Sequence, residues 1–306
     1  MIREFFHLIH IVDDEDEVDA FYDRLFAPER FRSKHFMEAE KRWASLSMVS
    51  DLMLEVIEPS AEEADLGMPL SRFRTRFGQH FHSLAWYVDP ASVKPLFDRI
   101  RAEGVRIAKP GGGMFPDGDI DPGNTIFTHP KDTFGQLEFE GKSKHWSGSD
   151  PRFQPGWTTR PWRDGPLGIE GLSHMTTVVR DLAVARHFYT TALEGIVLHE
   201  ESGPEADRCF VQVGPETVID LAQPTSEGTR LAADLATNGE LPHSATFRVR
   251  DASAAERHAE KLGIRVAERH GQTVTLDPAD CFGALWSFTE WALPNHPGAG
   301  TLRAGS

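Results

Sequence analysis

Cysteine is nearly absent from this chain: 306 residues hold two, Cys209 and Cys281. Two thiols so far apart make neither a disulfide framework nor a cysteine-based zinc site, and they read as small buried apolar side chains. Long hydrophobic runs are missing too. No apolar segment reaches the roughly 18 to 20 residues that span a bilayer, and MIREFF at the N-terminus leads into a strand-like segment without a signal-peptide pattern. A cytoplasmic location without membrane contact is expected. Basic residues are in deficit, 32 Lys and Arg against 47 Asp and Glu, for a formal net charge of -15. Such a chain repels phosphate backbones and anionic lipid, and no basic stripe offsets this, so nucleic acid is excluded and a small-molecule partner expected.

What the chain has is a pattern used four times. FHLIHIVDDEDEVDAFYDRLF begins at Phe6 and SHMTTVVRDLAVARHFYTTAL at Ser173. In each, a histidine (His7, His174) stands seven residues before an Asp (Asp14, Asp181) and fourteen before a Phe-Tyr pair (Phe21-Tyr22, Phe188-Tyr189). FHSLAWYVDPASVKPLFDRIRAEGVRI from Phe81 and PHSATFRVRDASAAERHAEKLGIRV from Pro242 form the second pair, with His82 and His243 each six residues before a Val. Self-similarity on this scale means repeated supersecondary units.

Each unit opens with a short strand (LIHIV, LAWYV, MTTVV, ATFRV), rich in β-branched and aromatic residues. A helix follows. In the first unit the acids Asp13 to Glu17 favour its N-terminus, and Val18, Phe21, Tyr22 and Leu25 make its apolar stripe. Two or three strand-like runs complete each unit, giving a strand, a helix and three more strands. Units two and four close alike, on HPKDTFGQLEFE and DPADCFGALWSFTE. Between the halves, a Pro-, Gly- and Trp-rich stretch reads as a linker over 146–168, its tryptophans (Trp146, Trp157, Trp162) packing across both domains. The expected division is 1–145, linker, 169–295, and a disordered tail over 296–306.

This arrangement resembles the vicinal oxygen chelate superfamily, which includes glyoxalase I, methylmalonyl-CoA epimerase, extradiol ring-cleaving dioxygenases and bleomycin-resistance proteins. The matching motif is His7, Asp14, Phe21-Tyr22 and its copy His174, Asp181, Phe188-Tyr189. The resemblance covers residues 4–142 and 170–291 and implies an α+β fold: four βαβββ units forming two cup-shaped glyoxalase-like domains. It further implies metal ligands from the first and last strands of each unit. In the N-terminal half these positions hold His7, Glu55, His82 and Glu138. In the C-terminal half they hold His174, Asp220 and His243, while Trp286 is expected to replace the fourth, so the ion is placed in the N-terminal cup.

Two imidazoles and two carboxylates suit a divalent ion, Zn²⁺, Ni²⁺, Co²⁺, Mn²⁺ or Fe²⁺, with open positions for two adjacent substrate oxygens. The activity so implied is a proton-transfer isomerisation, epimerisation or lyase step, with Glu55 or Glu138 as catalytic proton carrier. An Fe²⁺ extradiol-type dioxygenase using His7, His82 and Glu138, and a non-catalytic binding protein, are the alternatives. A homo-oligomer is compatible with all three. Single histidines and strand carboxylates have simpler readings. His10 falls on the strand face opposite His7, His80 is a partner to the site or an edge residue, and His129 is a rim acid/base or a turn residue. Phe21 and Tyr22 read as packing. Strand alternation separates Glu55 from Glu58 but puts Glu138 and Glu140 on one face. Ala108 to Asn124, rich in glycine, is either a lid over the cup or a long hairpin connection.

Overall fold

The computed structural model describes residues 1–116, 120, 121, 123–141 and 148–299. Unit one runs β1 (Ile2–Ile11), α1 (Glu15–Phe26), β2 (Glu29–Met37), β3 (Arg42–Val49) and β4 (Leu52–Pro59). A connecting helix α2 (Pro69–Phe77) leads to unit two: β5 (His80–Val88), α3 (Pro90–Ala102), β6 (Ile107–Ala108), β7 (Thr125–Thr128) and β8 (Gln136–Gly141). After α4 (Arg160–Arg163) comes unit three: β9 (Ile169–Val178), α5 (Leu182–Thr191), β10 (Ile196–Ser202), β11 (Ala206–Val213) and β12 (Thr217–Pro224). Helix α6 (Arg230–Asn238) precedes unit four: β13 (Pro242–Val249), α7 (Ala252–Lys261), β14 (Val266–His270), β15 (Thr273–Leu276) and β16 (Trp286–Thr289).

The repeated motif has a local cause. Asp14 and Asp181 cap α1 and α5, accepting from the Glu17 and Val184 amides at 3.0 Å, and Asp251 caps α7 through Ala254 in the same way. The Phe-Tyr pairs about two turns further on are buried against the sheets. Each half makes an eight-stranded sheet with the same order: β2-β3-β4-β1-β5-β8-β7-β6, and β10-β11-β12-β9-β13-β16-β15-β14. The first strands of two units lie antiparallel at the centre, and each pairs in parallel with the last strand of its own unit.

The halves share one continuous apolar core. Helix α1 lies on the outer face of unit four, where Tyr22 and Phe26 meet the Trp286 indole edge-on at 5.8 and 5.0 Å between ring centres. Helix α5 returns the contact on unit two, Phe188 lying 6.1 Å from Phe134. The closing Phe-Gly turns dock on the opposite half. A Cβ on Gly283 (φ 80°) would lie 1.9 Å from the Gln79 carbonyl, so only glycine fits there.

The two cysteines are free and buried, as expected. No helix among the described residues is long and apolar enough to cross a membrane. In the linker, Trp162 is buried, Trp157 packs on the core, and Arg152 donates to the Asp51 carbonyl while lying 3.7 Å from Glu216. Trp146 lies outside the described residues. The segment after β16 departs from the disordered tail expected. Asn295 Nδ2 donates to the Leu198 carbonyl and His296 Nε2 to that of Ser173 at 2.9 Å, so the chain is tied down at its first tail residues. Residues 300–306 lie outside those described.

Candidate functional site

The concave face of the N-terminal sheet encloses a cavity of about 280 Å³ lined by His7, Glu55, His82 and Glu138 together. Strand register accounts for the convergence. Ile9 pairs with Glu55 across β1–β4, and Ala85 with Glu138 across β5–β8, so the two carboxylates flank the central strands that carry the histidines. His7 Nε2 lies 3.4 Å from Glu55 Oε2 and 3.3 Å from Glu138 Oε2. His82 holds Nδ1 3.0 Å from the Ser83 hydroxyl, with its ring edge-on to Phe73 at 4.5 Å.

Electrostatics separate the two histidines. Burial lowers both, but the carboxylates of Glu55 and Glu138 outweigh it at His7 and raise that imidazole above the usual range. At His82 burial wins, helped by the Arg42 charge, and brings it to about 4, leaving a neutral ring. Burial pushes Glu55 up, but Arg42 and His7 more than offset this and hold it below the usual carboxylate range. Arg42 donates from Nη1 to Glu55 Oε1 at 2.8 Å and from Nε to Glu40. Glu140 does share the face of Glu138: it lines the cavity, accepts from Thr125 Oγ1, and is pushed up to about 7, chiefly by burial. Glu58 points the other way, accepting from Lys34 and the Glu15 amide.

Several buried atoms lack partners. Glu55 Oε2 and His7 Nδ1 make no hydrogen bond. An ionised carboxylate oxygen buried against an imidazole, with its second oxygen held by an arginine, is a donor atom with nothing to donate to. Imidazole and carboxylate are donor types that divalent cations take, and the cavity lining holds two of each in His7, His82, Glu55 and Glu138. Arg42 and Glu140 escaped the sequence reading as members of the site. The signal for Arg42 was available in a long cation opening a strand whose other residues are apolar or small.

Other histidines fall where packing dictates. His10 is fully buried, its Nδ1 accepting from the Tyr22 hydroxyl at 2.8 Å and its Nε2 donating to the Phe282 carbonyl at 2.8 Å. His80 faces the other half, 3.6 Å from Asp234. His129 lies in an exposed turn beside Arg106. In the described part of the glycine-rich stretch, Ala108 bridges to Met114 in a hairpin-like connection, and Lys109, Pro110, Gly111 and Gly112 line the cavity.

In the C-terminal half the register corrects one expectation. Thr246, the counterpart of Ala85, pairs with Ser287, and Trp286 pairs with Ala245. Thr275 and Phe127, counterparts on the neighbouring strands, pair with Ser287 and Glu138 respectively. Ser287, not Trp286, thus occupies the place of Glu138, and the indole points into the shared core. The Phe282-Gly283 turn, with Phe282 at φ 54°, holds one residue more before its strand than its counterpart does. A hydroxyl bonded to Thr275 at 2.9 Å stands where the carboxylate would be. Asp220 is paired with Arg208 and accepts from Thr176, His174 Nδ1 lies 3.1 Å from the Ser173 hydroxyl, and His243 Nδ1 donates to Asp234. Among the described residues, Glu205, Glu268 and His270 bring their ligand-type atoms within 4.8 Å of one another, on the surface of this half.

Residues 173–281 match the family model of the Glyoxalase/Bleomycin resistance protein/Dioxygenase superfamily. No curated protein matches the sequence. A triple mutant of 4-hydroxymandelate synthase from Streptomyces coelicolor is 14% identical over 97% of this chain and 96% of its own, with a TM-score of 0.68, a likeness of fold that spans both halves. Methylmalonyl-CoA epimerase from Mycobacterium tuberculosis is 28% identical over 40% of this chain and 89% of its own, with a TM-score of 0.39. A methylmalonyl-CoA epimerase variant from Streptomyces coelicolor is 24% identical over 39% of this chain and 96% of its own, with a TM-score of 0.37.

Proposed function

We propose that the chain is a member of the glyoxalase, bleomycin resistance protein and dioxygenase superfamily, whose family model matches residues 173–281, and that its N-terminal cup is the reactive site of a divalent-metal-dependent enzyme. The reaction is an isomerisation, epimerisation or lyase step that moves a proton on a small substrate bound through adjacent oxygens. His7, Glu55, His82 and Glu138 hold the ion. One observation carries this reading: His7 Nε2 lies within 3.4 Å of two carboxylates inside the cavity, where Glu55 Oε2 has no hydrogen-bond partner. When bound, a divalent ion supplies Lewis-acid stabilisation of negative charge on a substrate oxygen.

The chain's own groups have separate tasks. Ser83 fixes the His82 ring by its Nδ1. Arg42 keeps Glu55 ionised, and a carboxylate that is both ionised and half-unpaired can accept a proton from a substrate carbon. Whichever carboxylate takes the proton, Glu55 or Glu138, gives that same proton back to the substrate to complete the step. Lys109 to Gly112 form one wall of the cavity.

A second reading has its own support. Because Arg42 holds Glu55 Oε1, His7, His82 and Glu138 remain as a two-histidine, one-carboxylate face of the kind used by Fe²⁺ oxygenases. Elemental analysis of anaerobically purified wild type and His82→Ala decides. About one ion per chain, lost in the variant, supports the site; zinc, nickel, cobalt or manganese supports proton transfer, and iron supports ring cleavage. No ion after reconstitution sinks both and leaves a binding protein.

A further inference from the structure

The four proposed ligands come from β1, β4, β5 and β8. Strand β2, at the edge of the same sheet, supplies none of them, yet it sends His35 and Met37 into the cavity. Strand pairing places His35 there. It lies opposite Ala44 across β2–β3, and Ala44 lies opposite Ile57, which lines the same space. Phe36, between His35 and Met37, is exposed and packs beside Trp43. In the other half the matching strands are covered by their own chain: Trp291, beyond β16, lays its indole 6.1 Å from His199 on β10 and 5.5 Å from Phe210 on β11.

One ring nitrogen of His35 is engaged and the other is not. Nδ1 lies 3.2 Å from the Ser33 carbonyl oxygen. A carbonyl only accepts, so Nδ1 carries the hydrogen, and a neutral ring then keeps its lone pair on Nε2. Burial lowers His35 from the usual imidazole range and so favours that neutral ring. Nε2 itself is buried and makes no hydrogen bond. It is a hydrogen-bond acceptor of fixed tautomer in the wall of a cavity whose lining is otherwise apolar at Phe6, Ile9, Leu46, Ile57, Leu70 and Phe127. Buried polar atoms in folded proteins find partners, and here the substrate is the partner at hand.

We propose that His35 is a specificity-determining residue of the N-terminal cup, and that the substrate carries, besides two adjacent oxygens and an apolar body, a separate O–H or N–H donor that His35 Nε2 accepts. This inference rests on the reading of the cup as a metal-dependent site. An analogue without the donor leaves a buried acceptor unpaired and is discriminated against.

The probes are benzohydroxamic acid, a rigid ring with two adjacent oxygens, and its 3-hydroxy and 4-hydroxy derivatives, titrated by calorimetry into the full chain loaded with nickel and freed of excess ion. Wild type binds one of the hydroxylated probes about 10-fold more tightly than benzohydroxamic acid itself. His35→Leu binds all three alike and keeps the wild-type affinity for benzohydroxamic acid. Equal affinity of the three probes for wild type overturns the proposal without recourse to a variant, and so does a preference that survives in His35→Leu. Both results leave the metal site standing. If none of the probes binds nickel-loaded wild type, the metal reading fails and takes the proposal with it.

Discussion

The two cups are built from the same strand order, yet one is open and the other filled. Their frameworks coincide down to detail: each presents a central-strand histidine, a second histidine on the first strand of the following unit, and a carboxylate pulled aside by an arginine, Arg42 on Glu55 and Arg208 on Asp220. The differences lie at the margins. The N-terminal cup keeps Glu138 and Glu140 on its last strand where the other has Ser287 and Thr289, and the glycine-rich wall of one is a tight β14–β15 hairpin in the other. The family match falls on residues 173–281, the half that has Ser287 at the register position of Glu138. Caps, turns and core residues make a domain recognisable, whereas two or three side chains on one strand decide whether it can hold an ion.

That contrast can be broken at its centre first. Trp286 and Ser287 are neighbours with opposite faces. Trp286→Ala removes a ring packed on Tyr22, Phe26, Phe81 and Phe247 and costs about 3–5 kcal/mol in denaturant unfolding, while Ser287→Glu leaves the chain folded. If both unfold the chain, the register assigned to β16 is wrong. Next is acid. His10 is held neutral and lowered to about 3, mainly by burial, whereas its counterpart in the other half is Thr177, which does not titrate. A depressed folded-state value means stability present above pH 6.5 and lost as pH falls toward 3, about 3 kcal/mol by pH 4. His10→Thr flattens that limb of a pH-dependent melting curve; an unchanged limb assigns the acid sensitivity elsewhere.

Metal comes third. Nickel or zinc at about 100 times its dissociation constant stabilises the wild type by about 2.7 kcal/mol. His82→Ala abolishes that gain and His243→Ala leaves it intact; loss in both would mean the C-terminal cup shares the ion. Smallest is Ser287→Ala, which removes a hydroxyl pair with Thr275 and costs about 1 kcal/mol with no effect on metal uptake.

The sequence carried the repeated units, the capping aspartates and the shared face of Glu138 and Glu140 because each follows from local periodicity. It did not carry what depends on a single inserted residue. Aligning the two Phe-Gly turns puts Trp286 opposite Glu138, but the backbone of Phe282 turns left-handed and spends one residue more, moving every later side chain to the other face. Arg42 was missed for a different reason: its partner Glu55 lies across β3–β4, and only pairing reveals that its long side chain reaches four positions along the ladder. The occupation of the second cup by Trp291 is likewise a matter of where a chain end folds back, which no periodicity encodes.

Helix α1 lies on the far half's sheet and α5 on the near half's, so neither half owns the surface it needs covered. The chain is in this sense a covalent pairing of two similar partners. Cut at the linker and mixed, the halves should find each other again; expressed singly, either would offer an aromatic face nearly complementary to itself and should be recovered as a self-paired dimer. Each half thus serves as the other's cover, and the side chains that line a cup can differ while the outer face that packs across stays the same.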